Sequence, residues 1–323
     1  MKAAIYRTHG AARDVLRVED LPDPHPGPGE VRVRIRVSGV NPTDWKSRQG
    51  GRPIEAGFQI PNQDGAGEID EVGEGVDRAR LGERAWVYNA AYRRAWGTAA
   101  EWSVVPSRQA VRLPDHVGFE VGASLGIPAI TAHRALFADG PIDGRTVLVA
   151  GGAGAVGHHA LALGRRAGGR MLATVSSEAK AALASRAGAH HVVNYREPGA
   201  VQAIREGAPG GVDRVVELAP AANSELDEQV LAGSGTIAIY ANDAADWPIV
   251  PRELMARNRV LRFILVYEMP EAAKEQAVRD ITAALEAREL PPMDFVRYPL
   301  ADTAQAHEAV EQGAVGKVLV EVA

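Results

Sequence analysis

The stretch Gly152-Ala153-Gly154-Ala155-Val156-Gly157 combines residue types and spacing that can do chemistry. Its glycines at the first, third and sixth positions follow an apolar run, 146–150, and open a segment with helical patterning. In such a loop Gly152 would allow a tight turn, Gly154 would let the backbone approach a pyrophosphate, and Gly157 would let the helix lie on the strand. The anion would sit at a helix N-terminus, where unpaired N–H groups and the helix dipole favour negative charge. A glycine loop in an Ala- and Gly-rich chain can also be a plain turn. The strand before it and the helix after it argue for a dinucleotide.

The next strand indicates which dinucleotide. An NAD site ends its second strand in Asp or Glu, which holds the ribose 2′-hydroxyl. Here the run 171–175 ends in Ser176-Ser177, and Lys180 follows one helical turn later. Two hydroxyls and an ammonium suit a 2′-phosphate, which a carboxylate would repel. The predicted cofactor is therefore NADP(H), while Ser177 could equally cap the following helix.

These residues need a sheet to position them. From about residue 130, apolar runs at 146–150, 171–175, 191–193, 214–218, 236–240 and 261–267 alternate with helical stretches such as 156–166, 178–186 and 224–231. That alternation predicts a doubly wound parallel sheet, a Rossmann domain, followed by a long helix over 271–287. The first third reads differently. Val31, Val33, Ile35 and Val37 alternate with Arg32, Arg34, Arg36 and Ser38, the period of a half-buried strand. Further short strands at 2–6, 66–72, 84–87 and 100–105, separated by Gly-rich turns and the Pro-rich loop 22–29, predict a small β-barrel. The strand-like tail 317–322 could return to that barrel. The fold class is thus α/β, with a barrel of 1–125 and 288–323 around a Rossmann domain of 126–287.

Composition narrows the function classes. The 323 residues suit two domains, and 46% hydrophobic with 24% charged residues is ordinary for a globular protein. A net charge of -5, with arginines interleaved among acids, gives no basic face, so no nucleic-acid partner is expected. The chain has no cysteine, which rules out disulfides and thiolate-held metals. No run is long and apolar enough to span a membrane, and the N-terminus lacks a signal-peptide core, so the expected location is cytoplasmic.

Residues 2–6, Gly39-Val40-Asn41-Pro42, Gly126-Ile127-Pro128-Ala129-Ile130-Thr131-Ala132, the glycine loop, Gly188-Ala189-His190 and Asn194-Tyr195-Arg196-Glu197 resemble the quinone oxidoreductase branch of the medium-chain dehydrogenase/reductases. The likeness covers nearly the whole chain in motif order. It implies a discontinuous GroES-like catalytic domain, a Rossmann insert and a substrate cleft between them. It also implies roles for named residues. Asn41 and Thr131 would lie on the nicotinamide side, and Gly154, Ala155 and Val156 would hold the pyrophosphate. Ser176, Lys180 and Tyr195 would bind the 2′-phosphate and ribose. Leu218 and the strand carrying Phe263 and Leu265 would flank the ribose and carboxamide, and Lys317 belongs to a C-terminal cofactor-contacting segment. His133 stands where the family usually has Tyr, and is expected to pack or hydrogen-bond rather than catalyse.

Alcohol dehydrogenases of the same superfamily hold zinc with Cys and His. At those positions this chain has Asn41-Pro42 and Asn62-Gln63-Asp64, so no metal is expected. A simple ketone needs a Lewis acid or proton donor to accept hydride, whereas a quinone or an α,β-unsaturated carbonyl is already electrophilic. Asn41, Asp44 and Gln63 could line such a site, with Trp45 as an aromatic wall, although Asn41 and Asp44 also suit a turn or helix cap. Tyr88, Tyr92 and Trp96 lie in a segment that could face it; no general acid is identified. The expected activity is NADPH-dependent hydride transfer to a quinone-type acceptor. An enone reductase is the alternative on the same fold, and a non-catalytic NADPH-binding protein the alternative of another class. The apolar run 261–267, read as an edge strand, together with the family resemblance, predicts a homodimer.

Overall fold

The computed structural model describes residues 1–323 except 55, 243–246, 248, 250 and 323. Its strands run in chain order as β1 (Lys2–Ile5), β2 (Arg17–Asp20), β3 (Glu30–Gly39), β4 (Asp64–Val72), β5 (Arg84–Val87), β6 (Trp102–Pro106) and β7 (Ala110–Arg112). There follow β8 (Thr146–Val149), β9 (Arg170–Val175), β10 (His191–Asn194), β11 (Val212–Glu217), β12 (Leu231–Ile239) and β13 (Val260–Phe263), and finally β14 (Phe295–Pro299) and β15 (Lys317–Glu321). The chain divides into two compact units, Met1–Ile127 with Asp294–Ala323, and Pro128–Met293.

The first unit is built on β3. Val31, Val33 and Ile35 are fully buried and Val37 nearly so, as period two demands, while the intervening arginines stay at least partly exposed. Ser38 breaks the pattern by being buried. The sheet runs β14-β15-β3-β4-β5-β7, with β6 also on β3. Register shifts between β3 and β4 at Arg32/Val33 and Ile35/Val37 mark bulges, which bend and twist a sheet. β15 comes back antiparallel to β3, pairing Leu319 with Gly39 and Glu321 with Val37. On the other side of β3, Gly39 faces Asp64, the first residue of β4. Three chain segments far apart in sequence therefore meet at one end of β3.

The second unit holds six parallel strands in the order β10-β9-β8-β11-β12-β13. Counted within the sheet this is 3-2-1-4-5-6, the order of a Rossmann fold. Val147, Leu148 and Val149 of β8 and Val215 and Val216 of β11 are buried, as central strands covered on both faces must be. The helices include Ala155–Arg166, Glu178–Arg186, Pro220–Val230 and Glu271–Glu286.

Several element boundaries differ from expectation. The helix expected over 224–231 starts at Pro220, because proline fits the first helical turn, where no N–H partner is needed. β12 begins at Leu231 rather than 236. The expected strand 261–267 stops at Phe263, and the chain turns into a single 3₁₀ turn, Val266–Glu268, that buries Val266 and Tyr267. Apolar content alone did not separate an exposed edge from that buried turn. Among the described residues no helix is long and apolar enough to cross a membrane.

Candidate active site

At the end of β3 the pairing of β15, β3 and β4 brings Lys317, Asn41 and Asp64 together. Lys317 Nζ donates to Asn41 Oδ1 at 2.6 Å, and Asn41 Nδ2 donates to Asp64 Oδ2 at 2.7 Å. The ammonium lies 3.6 Å from the same Asp64 oxygen. Asp64 Oδ1 accepts the Ile127 backbone N–H at 2.8 Å. All three side chains are buried, so the ion pair survives only because every charged atom has partners. Burial pushes the Asp64 carboxyl up and the Lys317 ammonium down, and each is opposed by the other's charge.

Asp44 stands beside this cluster. It lies in the helix Pro42–Lys46, and its Oδ2 accepts the Asn41 backbone N–H at 2.7 Å, the acid half of a capping box. Its Oδ1 is buried without a hydrogen-bond partner among the described residues. Burial, and then the negative charge of Asp64, push its carboxyl up to about 7. Asp44 and Gln63 both line a cavity of about 390 Å³, along with Tyr6, Asn62, Arg52 and Trp96.

Of the residues expected here, Asp44 and Gln63 reach the cavity, and Asn41 turns instead into the Lys317–Asp64 cluster. Trp45 does not line the cavity: it is half-buried with Lys46 Nζ over its ring, and Trp96, stacked edge-on to Phe58, supplies the aromatic wall. Tyr88 is buried, and Tyr92 lies between Arg52 and Arg93.

A polar network missed in the sequence supports the site from below. His307 Nε2 bonds Asn62 Oδ1 at 3.0 Å, Asn62 Nδ2 donates to Ser38 Oγ at 2.9 Å, and Ser38 meets Thr98 Oγ1 at 2.7 Å. Thr98 in turn donates to the Asp64 carbonyl at 2.5 Å. Because the Asn62 amide nitrogen is committed to Ser38, its oxygen must accept from His307, which fixes the Nε2–H tautomer. Burial, with Arg48 nearby, lowers His307 to about 3, so it stays neutral. The network holds Asn62 in a left-handed conformation, φ 73°, directly before Gln63 and Asp64. No sequence signal links residue 307 to residue 62. Tyr6, Arg48 and Arg52 were missed for the same reason.

In the second unit the glycine loop follows β8 and opens the helix Ala155–Arg166. The turn is made by Gly151, at φ 65°, and not by Gly152. Gly152 is instead pressed on β9: a Cβ there would lie 2.7 Å from the Ala173 Cβ. Gly157 packs as expected, since its Cβ would meet Gly151 O at 2.4 Å and Gly152 Cα at 2.8 Å. Gly154, at the N-cap, has only Gly151 O at 3.4 Å, which leaves a cradle open for an anion at the helix start. The backbone of Ala155 and Val156 forms the first turn behind it. Leu218 stands over the loop, its Cδ2 within 2.7 Å of where a Gly151 Cβ would be.

At the tip of β9, Lys180 Nζ donates to Ser176 Oγ at 3.1 Å, and Ser177 caps the helix Glu178–Arg186. Tyr195, partly exposed, is tied to the same tip by its N–H to Val175 O at 3.0 Å. Thr131 is buried in the helix Gly126–Phe137, while Phe263 and Leu265 are 65% and 56% exposed around the end of β13. His133 bonds Asp280 at 2.8 Å and packs on Phe137, a structural use of the ring.

Residues 27–115 match the model of the alcohol dehydrogenase GroES-like domain, and residues 155–283 that of the zinc-binding dehydrogenases. The quinone oxidoreductase of Rattus norvegicus is 30% identical over 287 residues, covering 87% of this chain and 86% of the rat protein. The chain belongs to the quinone oxidoreductase branch of the medium-chain dehydrogenase/reductases. Among solved structures, a mycobacterial quinone oxidoreductase is 30% identical with a TM-score of 0.87, both chains covered in full. A mycobacterial protein complexed with NADPH gives the same figures. An NAD-dependent alcohol dehydrogenase is 27% identical with a TM-score of 0.88, again over both full chains.

For a quinone oxidoreductase branch member inside a superfamily that includes zinc enzymes, the donor set matters. It does not fit zinc. Cysteine is absent, the Asn41 and Asp64 oxygens are taken by an ammonium, an amide and a backbone N–H, and the cation in the cluster is Lys317. Among the described residues no group of three or more His, Asp or Glu is placed to hold a metal.

Proposed function

We propose that this protein reduces a quinone-type acceptor with NADPH and without a metal. The observation that carries the reading is the Ser176–Lys180 pair at the tip of β9, a hydroxyl and an ammonium at the strand end where an NAD site has Asp or Glu. Ser176, Ser177, Lys180 and Tyr195 would hold that phosphate and its ribose. Gly152, Gly154, Ala155, Val156 and Gly157 would form the pyrophosphate loop. Leu218, Phe263 and Leu265 are assigned to the ribose and carboxamide, and Thr131, Asn41 and Lys317 to the nicotinamide. When bound, NADPH supplies the hydride.

The chain's own residues do the remaining work. The cavity confines the acceptor between Trp96 and the polar wall of Gln63, Asn62 and Asp44. Holding the acceptor in one orientation is one lever available without a Lewis acid, and a quinone is already electrophilic. The name carried by the rat and mycobacterial relatives supports this choice of acceptor. Exposed Phe263 and Leu265 at the edge strand β13, whose only paired neighbour among the described strands is β12, support a homodimer.

The test is NADPH oxidation against a panel of simple quinones and enones, with the products identified. Hydroquinone formed one-for-one with NADP+ is expected. Saturation of the enones with the quinones inert would move the reading to an enone reductase. Tight NADPH binding without turnover on either panel would make the protein a non-catalytic NADPH binder.

A further inference from the structure

We propose that Asp44 is the catalytic proton donor, its carboxylic acid completing the reduction of the acceptor held in the cavity; this rests on the reductase reading above. The geometry suits an acid. Asp44 is buried on the cavity wall, and its Oδ2 is fixed by the Asn41 N–H at 2.7 Å. Its Oδ1 has no partner among the described residues. A carboxylate with one bare buried oxygen is poorly solvated, which favours the neutral acid at the cavity wall.

The groups that face Asp44 decide its charge. Asp64 on β4 opposes ionisation, Lys317 on β15 and Arg52 favour it, and burial outweighs both, placing the acid at about 7. Tyr6, the other hydroxyl acid on the wall, is pushed above its ordinary value by burial and by Asp44, which makes it a poor donor at neutral pH. Arg48 is bound to Glu311, and His307 is neutral behind Asn62. Asp44 is thus the wall acid matched to proton transfer near neutrality.

In the step, the acceptor takes hydride from NADPH, leaving NADP+ and an acceptor oxyanion. The Asp44 O–H bond breaks as the acceptor O–H bond forms. The resulting carboxylate regains a proton from solvent before the next turnover.

The test compares the wild type with Asp44→Asn and Asp44→Glu, measuring kcat/KM for 1,4-benzoquinone between pH 6 and 9 and NADPH affinity by fluorescence titration. Asn keeps an oxygen for the Asn41 N–H but cannot titrate. Wild-type kcat/KM should be level on the acid side and fall about tenfold per pH unit well above the Asp44 value. Asp44→Asn should bind NADPH normally and lose about a hundredfold or more in kcat/KM, with no alkaline fall. Asp44→Glu should keep the fall. A flat wild-type profile, or Asp44→Asn with wild-type rate and profile, would overturn the assignment. Failure of the wild type on every quinone and enone would instead remove the reductase reading. A second readout does not need turnover. Because folding raises the Asp44 value, the folded wild type holds a proton the unfolded chain releases, so its stability should fall relative to Asp44→Asn as pH rises from about 4 through 7. Parallel unfolding curves over that range would show that Asp44 does not titrate as proposed.

Discussion

Gly154 and Gly157 lie three residues apart and are glycine for different reasons. A methyl at 157 would collide with the backbone of Gly151 and Gly152, forcing the helix Ala155–Arg166 off its strand. Gly157→Ala is therefore expected to cost about 1–3 kcal/mol in urea unfolding, as overpacking does. A methyl at 154 meets little within the protein, so Gly154→Ala should cost about 1 kcal/mol or less, the usual cap penalty. It should nevertheless weaken NADPH by about tenfold or more, because the methyl fills the anion cradle. Loss of stability without loss of affinity at 154 would contradict that role. Lys180→Ala should lower NADPH affinity about tenfold to a hundredfold, the worth of a charge-assisted phosphate contact, and leave NADH nearly unchanged. Equal losses for both cofactors, read by fluorescence titration, would count against a 2′-phosphate site. The packing role of Gly157 was legible because motif spacing encodes it. The turn itself was misplaced by one residue, since Gly151 and Gly152 are indistinguishable until the backbone angles are seen.

At the scale of elements, the helix Pro220–Val230 carries Asp227 back onto Glu217 at the end of β11, burying two carboxyls together. Glu217 accepts the Leu218 N–H at 2.7 Å and Asn223 Nδ2 at 3.0 Å, so it is the better solvated of the two. Burial and the Glu217 charge raise Asp227 well above its ordinary value, so it stays protonated and hydrogen-bonded to Glu217. A raised folded-state value means the folded protein keeps a proton that the unfolded chain loses. This contribution is whole below the ordinary aspartate value and declines as pH rises through the folded one. Asp227→Asn keeps an N–H donor and removes the titration, so it should flatten that decline and leave the variant relatively more stable than the wild type as pH rises. An unchanged pH dependence of unfolding would contradict the shared proton. The sequence announced the strand and helix here by their periodicity. It did not announce the pair, because an acid at a strand end reads as solvated until something packs over it.

For the whole molecule, the sequence carried the α/β class, the barrel, the parallel sheet and the glycine loop, since each rests on periods of a few residues. The candidate site was only half legible. Asn41, Asp44 and Gln63 lie in the N-terminal part of the chain, but Lys317 joins them through the return of β15 onto β3 and His307 from the helix Thr303–Glu311, neither of which local patterns encode. The proposed homodimer rests on exposure of Phe263 at the β13 edge and of Leu265 just past it, and Phe263→Glu should shift the mass in light scattering toward that of the monomer. A wild type that is monomeric at micromolar concentration would refute the dimer. The proposed chemistry is hydride transfer from NADPH to an acceptor activated by its own electronics. It is tested most directly by NADPH oxidation with 1,4-benzoquinone on protein stripped with a chelator and assayed for bound metal. Undiminished turnover by metal-free protein is expected; turnover that disappears on stripping and returns only with added zinc would contradict it.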